Sequence, residues 1–412
     1  MFRNASHRHF AQPRRQAMRT SMPLLCVAVI ALLSGCAGTR GAAQYPSGPL
    51  PVPARASDAL AYGAAKHSLA DPASATWTVR GEEVDVTLLA PAERGPFPLL
   101  VYLPGLGESS AAGSAWRRAW AAAGYVVLSA QSRSNGPDAW RGERARSFDF
   151  RTVALEHFSP RTIPERLATI QGVIDEAFRR QRTSGNRGEG LEARIDPARI
   201  AIAGYDVGAL SAMVVAGQNV SDQPGPTPLP AIRAVIALSP YADFAGMGTE
   251  ARFRDVRLPV LSVTSPEDTD AYGLVTSAAV RRAPFQYMPP GRKYLLLLAA
   301  GPHSLLGGQE HPSTDREDNR AGVRTGGAMA DRGTSREGRS ARNRGDASGS
   351  GSATPVISRP DPGASWATQL RNVQAVSTAF LDATVKDEGR AADWLARDAQ
   401  RWLEGSATLI AK

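Results

Sequence analysis

Cysteine is nearly missing from this chain. Its 412 residues include two, Cys26 and Cys36. Cys26 lies inside an apolar segment and Cys36 closes it. Without that segment a single thiol is left, so no internal disulfide can staple the fold. Histidine is scarce too, with six residues. No His-x-x-x-His, cysteine pair or dense Asp/Glu/His set has metal-ligand spacing, so no metal or cofactor is expected. The apolar run at residues 23–33 is too short to span a bilayer comfortably. Residues 1–35 contain no acid but hold five arginines, Arg3, Arg8, Arg14, Arg15 and Arg19. Those five carry over half of the net charge of +9 and leave about +4 elsewhere, an ordinary surface. The basic balance therefore does not argue for nucleic acid, and none is expected as a partner. Hydrophobic residues make up 42% of the chain, enough for a sizeable core. The length allows one large α/β domain with appendages, or two domains.

Arg19, the apolar run and the small residues after it have the layout of a secretory signal over residues 1–35, for which Met18 offers a compact start. Residues 36–72 are rich in Ala, Gly, Pro and Ser and read as a flexible tether. Residues 308–362 hold nine arginines against eight acids and no Phe, Trp or Tyr. Such a stretch cannot bury enough apolar surface to order itself, so a disordered insertion is expected there. Leu33-Ser34-Gly35-Cys36 resembles the bacterial lipobox. The resemblance implies a lipoprotein signal peptide, cleavage before Cys36 and acylation of that residue. With Ala37 next, it also implies the outer membrane, facing the periplasm. The bilayer would then be a partner through acyl chains.

Between these segments the sequence predicts a mostly parallel sheet with helices on both faces. Residues 75–79 and 83–89 alternate and are β-branched, as in an antiparallel pair. Residues 98–103, 125–130, 199–203, 232–238, 259–264 and 293–298 are continuous apolar runs, as in strands covered on both sides. Helix-length connections separate most of them, with helices predicted over 112–123 and 163–181. Residues 131–160 form a polar, irregular segment with Trp140, Phe148, Phe150, His157 and Phe158, where substrate contacts are expected. Closing helices are predicted over 364–385 and 390–403.

Chemistry centres on Gly204-Tyr205-Asp206-Val207-Gly208. An apolar strand precedes it and a packed helix, 209–216, follows. A strand, a Gly-x-nucleophile-x-Gly turn and a helix resemble the nucleophile elbow of the α/β-hydrolases, with Asp206 where Ser is usual. Acids follow at 265–270, and then His303 in Gly301-Pro302-His303, each just after a strand. That order, nucleophile, acid, His, is the hydrolase order. The body resembles the dienelactone-hydrolase and platelet-activating-factor-acetylhydrolase branch, through residues 102–107, 194–204, 293–297 and 373–382. The resemblance implies an α/β-hydrolase fold in a single domain, formed by residues 73–307 and 363–406. It favours Asp268 as the triad acid over Asp270, with Glu267 third. The oxyanion N–H groups would come from Val207 and Leu106. A membrane-tethered hydrolase of an ester-like or lipid-derived small molecule heads the expectations. The alternatives are an Asp-nucleophile hydrolase of an epoxide or alkyl halide, and a catalytically silent binding lipoprotein. Attack on a saturated carbon suits a carboxylate, whereas attack on an ester yields a mixed anhydride.

Overall fold

The computed structural model describes residues 60–185, 190–220, 231–242, 248–310 and 362–412. The expected signal, Cys36, the first part of the tether and residues 311–361 of the insertion lie outside the described residues.

The body is an α/β structure around a nine-stranded sheet. In chain order the elements are β1 (Ala73–Val79), β2 (Glu82–Leu89), β3 (Phe97–Leu103), α1 (Ser114–Ala122), β4 (Val126–Ser132), α2 (Glu143–Arg146), α3 (Phe150–His157) and α4 (Ile163–Gly185). They continue with β5 (Ile195–Tyr205), α5 (Val207–Val215), β6 (Ile232–Leu238), β7 (Val260–Thr264), β8 (Lys293–Leu298), a long helix Pro362–Thr384 and β9 (Ala407–Ala411). The strand order is β1-β2-β4-β3-β5-β6-β7-β8-β9. Strands β3 to β8 are mutually parallel, and β1, β2 and β9 run antiparallel to their neighbours.

Side-chain alternation explains why the central runs are apolar throughout. Leu99, Val101, Ile200 and Ile202 face one layer, with Ile170, Val173 and Ile174 of α4 and Met213 of α5. Leu100, Tyr102, Ala201 and Ala203 face the other, with Trp116 and Trp120 of α1 and Val373 and Phe380 of the long helix. A period of two on a strand thus fills two cores at once. Trp116 and Trp120 are core residues, as their spacing on one helix face suggested.

Three boundaries differ from the sequence expectation. The tether does not extend to residue 72. Leu60 O accepts from Trp394 Nε1 at 2.7 Å, Tyr62 Oη donates to Asp382 at 2.7 Å, and His67 N donates to Ala122 O at 2.8 Å. Ala/Gly/Pro composition gives no sign of these few anchors, two of which are backbone groups. The segment at 131–160 is not irregular throughout, since it contains α2 and α3. Asp149 caps α3 by accepting from Thr152 N at 3.2 Å. β9, short and directly after the closing helices, carries no strand signal of its own; it pairs with β8 along its length.

Candidate active site

All the parallel strands end on the same side of the sheet, and the sequence-selected residues sit at those ends. The register aligns Leu103 with Gly204, Tyr205 with Leu238, Leu238 with Val263 and Thr264 with Leu297. Open parallel sheets gather their ligands at this edge.

Asp206 occupies the turn between β5 and α5 at φ 57° and ψ −116°. A non-glycine residue there is strained, and the surroundings enforce it. A Cβ on Gly204 would stand 2.2 Å from Gly208 O, and one on Gly208 would stand 2.1 Å from Leu103 O. Only glycine at both places lets β5 pass into α5 so tightly against β3.

The two Asp206 oxygens have different neighbours. Oδ2 accepts from Leu106 N at 3.2 Å, and Oδ1 lies 3.6 Å from His303 Nε2. On the far side of the ring, His303 Nδ1 is 2.7 Å from Asp268 Oδ1. The imidazole therefore stands between two carboxylates. Asp268 is fully buried and held from three further directions. Ser239 Oγ donates to its Oδ1 and Thr264 Oγ1 to its Oδ2, both at 2.7 Å, and Arg281 Nε is 3.4 Å from Oδ1. Ser239 Oγ also lies 2.9 Å from His303 Nδ1. The Tyr205 ring stacks beside His303 at 5.0 Å, and its hydroxyl donates to His303 O at 3.1 Å.

Charge follows from this geometry. Burial pushes the Asp206 carboxyl up, but the His303 ring, then Arg281 and the Leu106 N–H, outweigh it and hold the group below the ordinary carboxylate range. Burial acts likewise on Asp268, where His303, Arg281 and Ser239 prevail. For His303 burial opposes the charged form, yet the two carboxylates outweigh it and raise the group to about 9. Near neutrality the resting site is an imidazolium between two carboxylates.

Asp268 is thus the acid at the imidazole. Asp270 serves its own loop, accepting from Tyr272 N at 2.9 Å and Leu274 N at 3.0 Å. Glu267 is exposed and accepts from Gly301 N at 3.3 Å. Leu106 reaches Asp206, and Val207 opens α5 directly after it. From the 131–160 segment, Trp140 packs on Tyr272 at 5.2 Å, and the Tyr272 hydroxyl lies 3.4 Å from Leu106 O, so aromatic rings adjoin the loop after β3.

Sequence reasoning missed Ser239, Thr264 and Arg281. Ser239 stands just after a predicted strand, the same signal that marked Asp206 and His303. Thr264 carries only the signal of a strand end, and Arg281 carries none. Among the described residues no three His, Cys, Asp or Glu side chains converge as a metal site. No helix among them is long and apolar enough to cross a membrane. No protein-family model and no curated protein matches this chain.

Proposed function

We propose that this protein is a hydrolase of α/β-hydrolase fold whose nucleophile is the Asp206 carboxylate, acting on a small epoxide or alkyl halide. One observation carries it: Leu106 N and His303 Nε2 share the two Asp206 oxygens at 3.2 and 3.6 Å. With a hydroxyl nucleophile, an oxyanion N–H awaits the carbonyl oxygen of the substrate. Here that donor already holds an oxygen of the protein. An ester substrate would have to displace it, and its product on Asp206 would be a mixed anhydride. Carboxylic-ester hydrolysis, implied by the resemblance, is therefore supported less well.

The two steps balance simply. Asp206 attacks a saturated carbon, the bond from that carbon to halide or epoxide oxygen breaks, and an alkyl ester of Asp206 forms. A halide leaves as the anion, while the alkoxide of an opened epoxide takes the proton of the His303 imidazolium. The ester has no charge, so His303 loses one of the two carboxylates that raise it. Its proton is then released more readily, and the neutral ring can take one from water. The hydroxide adds to Cγ of Asp206, with the developing oxyanion at Leu106 N. Collapse expels the alkoxide, which takes back the His303 proton and leaves as the alcohol, and the carboxyl proton passes to solvent to restore the carboxylate. Asp268 keeps the ring oriented through both steps.

The order of strands, with the nucleophile, acid and histidine just after β5, β7 and β8, supports the hydrolase fold. A silent binding fold has no need of so complete a charge network. Leu33–Cys36 supports a lipid-anchored envelope protein, for which loss of acyl labelling in Cys36→Ala is the expected result.

The test uses the purified full chain with epoxides, haloalkanes and aryl esters, and intact mass spectrometry. His303→Gln is expected to accumulate an alkyl adduct on Asp206, absent from Asp206→Asn. Turnover of aryl esters alone, abolished in His303→Ala and without an adduct, would instead establish the ester hydrolase. Folded protein inactive on every panel would overturn both.

A further inference from the structure

A second polar site lies behind the elbow. A cavity of about 180 Å³ opens between α4 and the ends of β3 and β4. Its floor is apolar, made by Val84, Val101, Leu103, Ala130, Ile170 and Val173. Val207 and Gly208 form part of its wall, but Asp206 and His303 do not line it.

Arg166 of α4 lines this cavity and is 9% exposed. No protein group accepts from its Nε, Nη1 or Nη2 among the described residues. Burial draws the guanidinium down to about 10, against the attraction of Asp206. Neighbouring groups do not quench it. Glu82 accepts from Ser134 Oγ and Thr169 Oγ1, each at 3.1 Å, and Glu165 is exposed at the same cavity. His157 is bound through Nδ1 to Asn135 Oδ1 at 2.9 Å, and burial and then the Arg166 charge keep it neutral.

A buried guanidinium has five N–H donors and cannot shed its charge near neutrality. With no acceptor it is a costly feature of the fold. Its planar fork matches a carboxylate in two parallel hydrogen bonds. The cavity is about the size of one known to hold a single benzene ring. We propose that this cavity binds a small apolar carboxylic acid, its carboxylate on Arg166 and its hydrocarbon part on the apolar floor. Asp206 and His303 do not line the cavity, so its occupancy can be read by binding alone, without turnover.

Benzoate is the probe, titrated into the full chain by calorimetry and by thermal shift. Benzoate is expected to bind and to raise the melting temperature. Benzamide, of the same shape but uncharged, is expected to bind at least about tenfold more weakly, as is Arg166→Met toward benzoate. Ala130→Leu keeps the charge but fills the floor, and is expected to lose benzoate as well. Asp206→Asn removes a negative charge near Arg166 and is expected to bind benzoate at least as tightly as the wild type. Equal binding of benzamide, unchanged binding by folded Arg166→Met, or protection by inorganic phosphate as strong as by benzoate would overturn the proposal.

Discussion

Two arginines lie deep in this protein near the same carboxylate, and their surroundings are opposites. Arg281 sits behind the acid loop. Its Nε reaches Asp268 Oδ1 at 3.4 Å and Asp268 O at 3.2 Å, and its Nη1 donates to Ser239 O at 3.2 Å and Pro240 O at 3.3 Å. Arg166 sits behind the elbow, and none of its nitrogens meets a protein acceptor among the described residues. The first charge is consumed by the fold: it ties the loop bearing Asp268 to the end of β6. The second is left over, on the wall of a cavity. Buried charge is architectural where it is matched and available for recognition where it is not.

Removing the matched charge should cost most. Arg281→Met takes from the buried Asp268 one of its two cations, leaving His303, and is expected to lower unfolding free energy by about 3 kcal/mol in urea titrations. A loss under about 1 kcal/mol would erase the contrast between the two arginines.

Next in size is a pH effect confined to the matched region. His303 binds its proton more tightly in the folded chain, at about 9 against 6.5. Its contribution to stability is therefore complete below pH 6.5 and lost as pH climbs through about 9. Asp206 and Asp268 act in the other direction: held below 3.8, they stabilise above that pH and lose the contribution in acid. Melting temperature should fall between pH 6.5 and 9, and His303→Gln should flatten that decline.

Ser239→Ala removes a hydroxyl donating to a buried carboxylate, and is expected to cost about 1.5–3 kcal/mol. It should also shift the alkaline limb of activity, since the hydroxyl touches His303. The smallest change is expected for Arg166→Met without ligand, within about 1 kcal/mol of the wild type or more stable. A large destabilisation would mean that Arg166 is matched after all.

The sequence makes plain those parts that depend on local patterning. Residues 199–216 announce a strand, a tight turn and a helix, because glycine punctuation and apolar runs are local. Asp206, His303 and an acid within residues 265–270 follow from strand ends and chain order. Asp268 and Asp270 separate only in three dimensions, where one faces the imidazole and the other caps turns of its own loop. Nothing in the sequence sets Arg166 and Arg281 apart in their surroundings. Their difference comes from what tertiary packing brings opposite them, and no spacing rule encodes it. β9 escaped for a similar reason: five residues acquire strand character only by lying against β8.

That last strand has a consequence for handling the protein. Lys412 N donates to Lys293 O at 2.9 Å, and Leu296 is opposite Leu409, so residues 407–412 zip the rim of β8 shut. A protease or cloning boundary that trims them bares a row of unsatisfied peptide groups beside an apolar core. The shortened chain would keep its charge network intact and yet become adhesive, pairing rim to rim with another molecule.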